Sequence, residues 1–278
     1  SAIITITERI KSFDFAATSY VPKAGQPFDL VVSNAKDNEG NVASGVILVS
    51  FNDGLDHTAP DGSSQPTLVS IPVQNGSGMA TQTLVKTENN LFLKGSVSGG
   101  TTSRTTNAIA VKPGTVGSFT LMGYPATTIA GTDFGISTTV RIKAYDAYGN
   151  AKTDLAGNVY FESTTDANED FEYDLSNPYV FSGIEDGEAA ISGDLFEFRT
   201  SGFHTFSVVH GMITKESNPI QVYPGAINNF DFGQVENQTA GIQFELSVIN
   251  AQDVFGNAAN GTISIGFGSS TSERVGAI

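Results

Sequence analysis

The residues that could bind a metal ion are concentrated in one acidic stretch. Residues 160–198 hold 11 acidic side chains and neither Lys nor Arg. Within this stretch, oxygen-bearing side chains occupy every second position at Asp166, Asn168, Asp170, Glu172 and Asp174. On a strand they would share one face and repel one another, whereas a loop around a hard cation would relieve the repulsion. The spacing favours either a loose calcium site or a solvated acidic loop.

A five-residue pattern, Asp-x-x-Gly-Asn, occurs three times, at residues 37–41, 146–150 and 253–257. The first interpretation is a tight turn, in which Asp caps its own backbone and Gly or Asn adopts a positive φ. A second interpretation places calcium at domain junctions, with ligands from Asp37, Asp146 and Asp253. One such turn alone supplies too few oxygens, because calcium takes roughly 6–8 ligands.

Other catalytic chemistry is poorly represented. The 278 residues include no Cys, no Trp and three His, which excludes thiol nucleophiles and Cys-ligated metals. No Gly-x-Ser-x-Gly elbow is present, and a His pair at 204 and 210 would need a third ligand to bind zinc. The net charge of −15 disfavours nucleic acid, and no stretch is apolar enough to span a membrane. The sequence therefore predicts a protein that is not an enzyme.

The elements that would carry these motifs have a strand period. Apolar side chains occupy alternate positions at 28–32, 47–51 and 244–248, and Gly, Asn, Asp and Pro residues separate the runs. Several short strands per hundred or so residues, with turn signals between them, are typical of an all-β sandwich.

The strands belong to a repeat. The pair Ala-Gly recurs at residues 24, 130 and 240, and a similar eight-residue segment ends at Pro113-Gly114 and at Pro224-Gly225. The predicted boundaries are 1–9 for the last strand of a preceding repeat, 10–112 for a first domain, 113–223 for a second domain with an acidic insert, and 224–278 for a partial third domain. We expect the chain to be one part of a longer array of repeats.

One irregularity predicts β-bulges. The apolar residues before the turn lie at even offsets from Asp146 but at odd offsets from Asp37 and Asp253. A change of parity within a strand requires an extra residue. Bulges are therefore predicted near Asn34-Ala35 and Asn250-Ala251.

Three stretches, 24–51, 130–161 and 240–267, carry the Ala-Gly pair, an alternating strand, the Asp-x-x-Gly-Asn turn and a further strand. In this arrangement the chain resembles the immunoglobulin-like repeats of prokaryotic surface proteins, such as invasin- and intimin-type adhesins and S-layer proteins. The resemblance implies tandem immunoglobulin-like β-sandwich domains in an elongated array, an extracellular or cell-surface location, and no catalysis. Short Pro-Gly junctions favour a stiff rod.

The expected function is a structural segment of a prokaryotic cell-surface protein, as an S-layer or fibre subunit or an adhesin stalk, with calcium rigidifying the array. Its partners would be copies of itself or other cell-surface proteins. One alternative is a module that binds a host receptor or a glycan on the tyrosines Tyr145, Tyr148, Tyr173 and Tyr179. Another is a set of spacer domains in a large secreted enzyme.

Overall fold

The computed structural model describes residues 10–266, and the regular elements in that range are β-strands apart from a 3₁₀ turn at Gly193–Leu195. The all-β prediction is confirmed. No helix in this range is long and apolar enough to cross a lipid bilayer. The strand predicted within residues 1–9 lies outside the described residues, as does the part of the third domain beyond residue 266.

We group the strands by the predicted domain boundaries and call the groups units one, two and three. Unit one, residues 10–112, contains β1 (Ser12–Ala17), β2 (Pro27–Lys36), β3 (Gly45–Phe51), β4 (Ser70–Val73), β5 (Gly78–Thr83), β6 (Glu88–Leu91), β7 (Leu93–Val97), β8 (Ser103–Thr105) and β9 (Ile109–Val111). Unit two, residues 113–223, contains β10 (Val116–Met122), β11 (Thr127–Ile129), β12 (Thr132–Asp133), β13 (Thr139–Asp146), β14 (Ala156–Glu162), β15 (Asp170–Phe171), β16 (Tyr179–Ser182), β17 (Glu188–Ser192), β18 (Phe196–Phe198), β19 (Gly202–His204), β20 (Ser207–His210), β21 (Ile213–Glu216) and β22 (Ile220–Tyr223). Unit three begins at residue 224 and contains β23 (Asn229–Phe232) and β24 (Val248–Gln252).

Units one and two repeat the same sheet topology. In unit one, a sheet ordered β1-β2-β5 is accompanied by a second ordered β4-β3-β7-β8. In unit two, the corresponding sheets are β10-β13-β17 and β16-β14-β20-β21. Unit two adds the small sheet β12-β18-β15, which carries part of the acidic stretch. Two antiparallel sheets with this strand order are compatible with an immunoglobulin-like sandwich.

Each complete unit has its own hydrophobic core. The buried cluster of unit one extends from Ile10 to Val111, and that of unit two extends from Phe119 to Val222. Both clusters lie within the domain boundaries predicted at residues 112 and 223. Alternate residues of facing sheets fill these cores, as the period of two requires.

Both predicted bulges are present. Between the pairs Ser12↔Lys36 and Asp14↔Ser33, two residues of β2 oppose one residue of β1, and Asn34 has a φ of 54°. The same register shift and the same φ occur at Asn250 in β24. In unit two the extra residue lies on the partner strand instead, at Gly117 of β10. The extra residue thus lies on the strand before the turn in units one and three but on its partner in unit two, which explains the parity difference seen in the sequence.

Unit three departs from the predicted strand pattern. The alternation from Phe244 predicts a strand over 244–248, but β24 begins only at Val248. Phe244 is 51% exposed, whereas its counterpart Phe28 in unit one is 6% exposed. Within the described residues, no second sheet covers this face, so the apolar alternation lacks the packing that fixes a strand.

Candidate functional site: the junction between successive units

The Asp-x-x-Gly-Asn motif forms a closed turn, which we call the junction turn. In the second copy, Asp146 Oδ1 accepts hydrogen bonds from the backbone N–H groups of Tyr148 at 2.9 Å and Asn150 at 3.0 Å. Gly149 has a φ of 75°, which favours glycine. The copies at 37–41 and 253–257 have the same bonds from the third and fifth residues to the aspartate. The sequence therefore encodes a preformed turn at each of the three places.

The aspartate of the turn also holds the connection between units. Asp146 Oδ2 accepts a hydrogen bond from the Gly114 backbone N–H at 2.8 Å, and Asp253 Oδ2 accepts one from Gly225 at 2.9 Å. Both glycines follow the proline at a unit boundary. A Cβ at position 114 would lie 2.6 Å from the Ala24 carbonyl oxygen, so the connection approaches the previous unit closely there.

The asparagine of the turn binds the backbone of the preceding unit. Asn150 Nδ2 donates to the Val85 carbonyl at 2.8 Å, and Asn150 Oδ1 accepts from the Thr87 N–H at 3.0 Å. Asn257 repeats this pattern, donating to the Arg199 carbonyl at 2.9 Å and accepting from the Ser201 N–H at 2.8 Å. Each amide thus pairs with a carbonyl and with the N–H two residues later. The same two-pronged contact joins units one and two and units two and three.

The third residue of the turn packs on the Ala-Gly pair of the preceding unit. A Cβ at Gly25 would lie 2.5 Å from Tyr148 Cε2, and a Cβ at Gly131 would lie 2.1 Å from Phe255 Cε2. Glycine is required at both positions, because only the missing side chain leaves room for the aromatic ring. The Arg199 guanidinium also lies 5.7 Å from the centre of the Phe255 ring. The two sequence motifs are therefore the two halves of one contact.

The first copy of the turn has a different third residue. Glu39 stands where the later copies have an aromatic ring, and it is exposed. Asn41 is exposed too, whereas Asn150 is 1% exposed. The first copy therefore closes the same turn without an aromatic third residue and with an exposed asparagine.

The electrostatics of the second junction favour a charged aspartate. Burial raises the pKa of Asp253, but hydrogen bonds from Asn257, Gly225 and Phe255 outweigh it and hold the pKa below its ordinary value. The carboxylate therefore stays ionised at neutral pH and keeps accepting bonds from the turn and the connection.

In the acidic stretch, Asp166 has a structural role that the sequence did not reveal. Its side chain is fully buried and accepts bonds from the Arg199 N–H at 2.8 Å, the Thr200 N–H at 2.9 Å and the Thr200 hydroxyl at 2.7 Å. Burial raises its pKa, but these bonds and one from Asn168 outweigh burial and lower it. Asp166 thereby supports the segment that Asn257 grips.

The other acidic candidates do not converge on Asp166. Asp170 and Glu172 line a cavity of about 170 Å³ together with Asp133, Asp194 and Glu197. Arg199 forms ion pairs there with Asp170 and with Glu197. Asp174 instead closes its own turn with Ser176 and Asn177. No group of three or more His, Cys, Asp or Glu side chains within residues 10–266 has the arrangement of a metal site. Calcium binding stays a prediction.

His204 occupies an apolar position. It is 6% exposed, both ring nitrogens lack hydrogen-bond partners, and the ring stacks on Phe198 at 5.7 Å between centres. It pairs across the sheet with Ile220, as Leu91 of unit one pairs with Ile109. The histidine thus stands where the other unit has leucine, which favours a packing role over metal binding.

No protein-family model and no curated protein matches this chain. Among solved structures it is similar to domains 4–9 of the surface layer protein SbsC, at 18% identity over 81% of this chain and 33% of that chain, with a TM-score of 0.28. It is also similar to a Parabacteroides merdae β-glucuronidase, at 11% identity over 76% of this chain and 25% of that chain, with a TM-score of 0.27. A third similarity is to the titin domains z1z2 in complex with telethonin, at 13% identity over 77% of this chain and 97% of that chain, with a TM-score of 0.25. The chain spans about a third of the SbsC fragment. TM-scores of this size establish no shared fold, so the function is argued from contacts within this chain.

Proposed function

We propose that this chain is a non-enzymatic structural segment of a prokaryotic cell-surface protein, in which each junction turn fixes a β-sandwich unit to the unit before it. The observation that carries the proposal is the repeated attachment of Asn150 and Asn257 to the backbone of the preceding unit. We call this attachment of the turn asparagine to the preceding unit the interlock. Two independent copies of the interlock favour a stiff array over domains on flexible linkers. The partners are copies of this protein or other extracellular surface proteins.

The geometry of the turn supports stiffness in a second way. At each junction, one aspartate closes the turn and holds the connecting glycine, while the neighbouring asparagine reaches the previous unit. The connection and the docking contact therefore share one rigid element. Rotation about the connection would have to break both sets of bonds together.

Small-angle X-ray scattering of the full chain tests this proposal. The double variant Asn150→Ala and Asn257→Ala removes both interlocks, and Asn41→Ala is the matched control, because that copy of the turn is exposed. We expect one sharply defined maximum dimension for the wild type and the control, and a broader distance distribution for the double variant. Equal flexibility in all three proteins would refute the stiff array.

Calcium remains a proposal for the acidic cavity of unit two. Five carboxylates line that cavity or its rim, and Arg199 pairs with only two of them. A bound cation would reduce their mutual repulsion and stiffen the unit. Scanning calorimetry of the full chain with calcium and with chelator tests this. Superimposable unfolding traces would contradict calcium binding.

Receptor or glycan binding has less support from the structure. Of the tyrosines considered as a sugar platform, Tyr148 packs in the first junction, and Tyr173 and Tyr179 pack edge to face against the core of unit two. These rings are therefore partly covered. A spacer role in a secreted enzyme is compatible with the same stiff junctions, and a catalytic domain elsewhere in the parent protein would identify it.

A further inference from the structure

A long loop of unit one lies across the first junction. This loop, residues 52–69, connects β3 with β4. The Asp61 N–H donates to the carbonyl of Tyr148 in unit two at 3.2 Å. Gln65 Oε1 accepts from the Val85 N–H at 3.2 Å, next to the carbonyl that Asn150 binds. The loop therefore contacts both sides of the junction.

One side chain of the loop, His57, is held between two carboxylates. His57 is 5% exposed, and its ring packs on Phe51 at 3.9 Å between centres. Its Nδ1 lies 2.7 Å from Glu88 Oε2, and its Nε2 lies 3.1 Å from Asp53 Oδ1. Asp53 belongs to the loop, and Glu88 is the first residue of β6. The imidazole thus joins the loop to the strand that follows the gripped segment.

The protonation state of His57 decides how many of these contacts are hydrogen bonds. A neutral imidazole donates from one nitrogen only, and its other nitrogen then turns a lone pair toward a carboxylate oxygen. An imidazolium donates from both nitrogens, and each bond is strengthened by charge. Histidine is the side-chain type that changes charge between about pH 5 and 8. His57 can therefore donate hydrogen bonds to both carboxylates only when its ring is protonated.

Charged side chains surround the His57 ring. Asp53, Asp56 and Glu88 line the same cavity of about 370 Å³, and Lys86 is the cation facing them, with Nζ at 3.1 Å from Glu88 Oε1. The backbone N–H of Leu55 and the His57 ring both lower the pKa of Asp53, which stays charged in mild acid. Glu88 is bonded to Lys86 and to His57 on separate oxygens.

Resting on the proposed function, we propose that His57 is a proton-operated clasp on the first junction. When protonated, it holds the loop against Glu88 and so immobilises the segment of Val85 and Thr87 that Asn150 grips. In the second junction, Asp166 accepts a hydrogen bond from the Arg199 N–H, as Gln65 does from the Val85 N–H, and no histidine among the described residues is hydrogen-bonded to Asp166. Acidification over the neutral range therefore stiffens the first junction and leaves the second unchanged.

Amide hydrogen exchange of the full chain at pH 7.5 and pH 5.5, corrected for intrinsic rates, tests the clasp. The two probes are the Thr87 N–H in the first junction and the Ser201 N–H in the second. We expect protection of Thr87 to rise roughly tenfold or more on acidification, the gain of one charge-assisted bond. Protection of Ser201 should stay constant. Glu88→Gln, which keeps the ring but removes one carboxylate, should reduce the response of Thr87.

Two further variants complete the test. His57→Gln should abolish the pH response of Thr87, whereas His210→Gln should leave it intact, because His210 bonds the Asn158 carbonyl in the other unit. A pH response that survives both His57→Gln and Glu88→Gln would overturn the clasp. So would an unchanging Thr87 beside a protected Ser201, and the stiff array would then still stand. Free exchange of both amides at both pH values would instead overturn the proposed function and the clasp together.

Discussion

Replacing Asn150 with alanine isolates the contribution of the interlock to stability. The change removes the bond to the Val85 carbonyl and the bond from the Thr87 N–H. Each such bond contributes about 1 kcal/mol, and the buried groups left unpaired add a desolvation cost. The expected loss in the free energy of unfolding is therefore about 2–4 kcal/mol. Asn41→Ala should cost less than about 1 kcal/mol, since Asn41 bonds only its own turn among the described residues.

The assay is denaturant unfolding of the full chain, followed by tyrosine fluorescence and by scanning calorimetry. Tyrosine is the natural fluorophore because the chain has 8 Tyr and no Trp, and Tyr148 packs in the junction itself. The difference between the two variants is the quantity of interest, because it cancels the bond within the turn. Equal losses for Asn150→Ala and Asn41→Ala would refute the reasoning, since the interlock would then add nothing to stability.

Three other predictions follow from the packing. Gly131→Ala should weaken the second junction by about 2 kcal/mol more than Gly135→Ala, because both glycines have a positive φ but only the first would press a Cβ into Phe255. Calorimetry of the two variants checks this. His204→Leu should raise the unfolding temperature, with a gain of about 1 kcal/mol from removing two unpaired buried nitrogens, and an unchanged transition would contradict it. The pKa of Asp166 is lowered in the folded state, so the stability that its carboxylate contributes is fully present above the ordinary pKa of 3.8 and is lost as the pH falls further. Asp166→Asn should therefore flatten the acidic part of the curve of unfolding free energy against pH.

The bulges and the turns were predictable because they leave a trace in residue type. The parity of the apolar positions required an extra residue near Asn34 and Asn250, and both are present. The partners of Asn150 could not be found in this way, because they are backbone atoms of Val85 and Thr87. The counterparts of these residues in unit two are Arg199 and Ser201, and the side chains of Val85 and Arg199 share no chemistry. Backbone contacts of this kind place no requirement on the side chain.

The acidic stretch shows a second reason why the sequence could not predict the role of every site residue. Period two grouped Asp166 with Asp170, and it could not show that Asp166 turns inward while Asp170 faces a cavity. That difference depends on Thr200, which lies 34 residues away in the sequence. The recurring spacing of the Ala-Gly pairs and the junction turns was an available signal. Their common interval shows that each unit carries both motifs, but only the structure shows that the turn of one unit meets the Ala-Gly pair of the unit before it.

The placement of the interlock beside the covalent connection determines how the array would respond to a pulling force. The connection through Pro113 and Gly114 is short, and Asn150 and Tyr148 grip unit one to the side of it. Tension along the chain therefore tilts one sandwich about the connection and opens these lateral contacts first. The strand ladders inside each unit share the same load over many parallel bonds. The array would yield at its joints by small, reversible steps while the sandwiches stay folded.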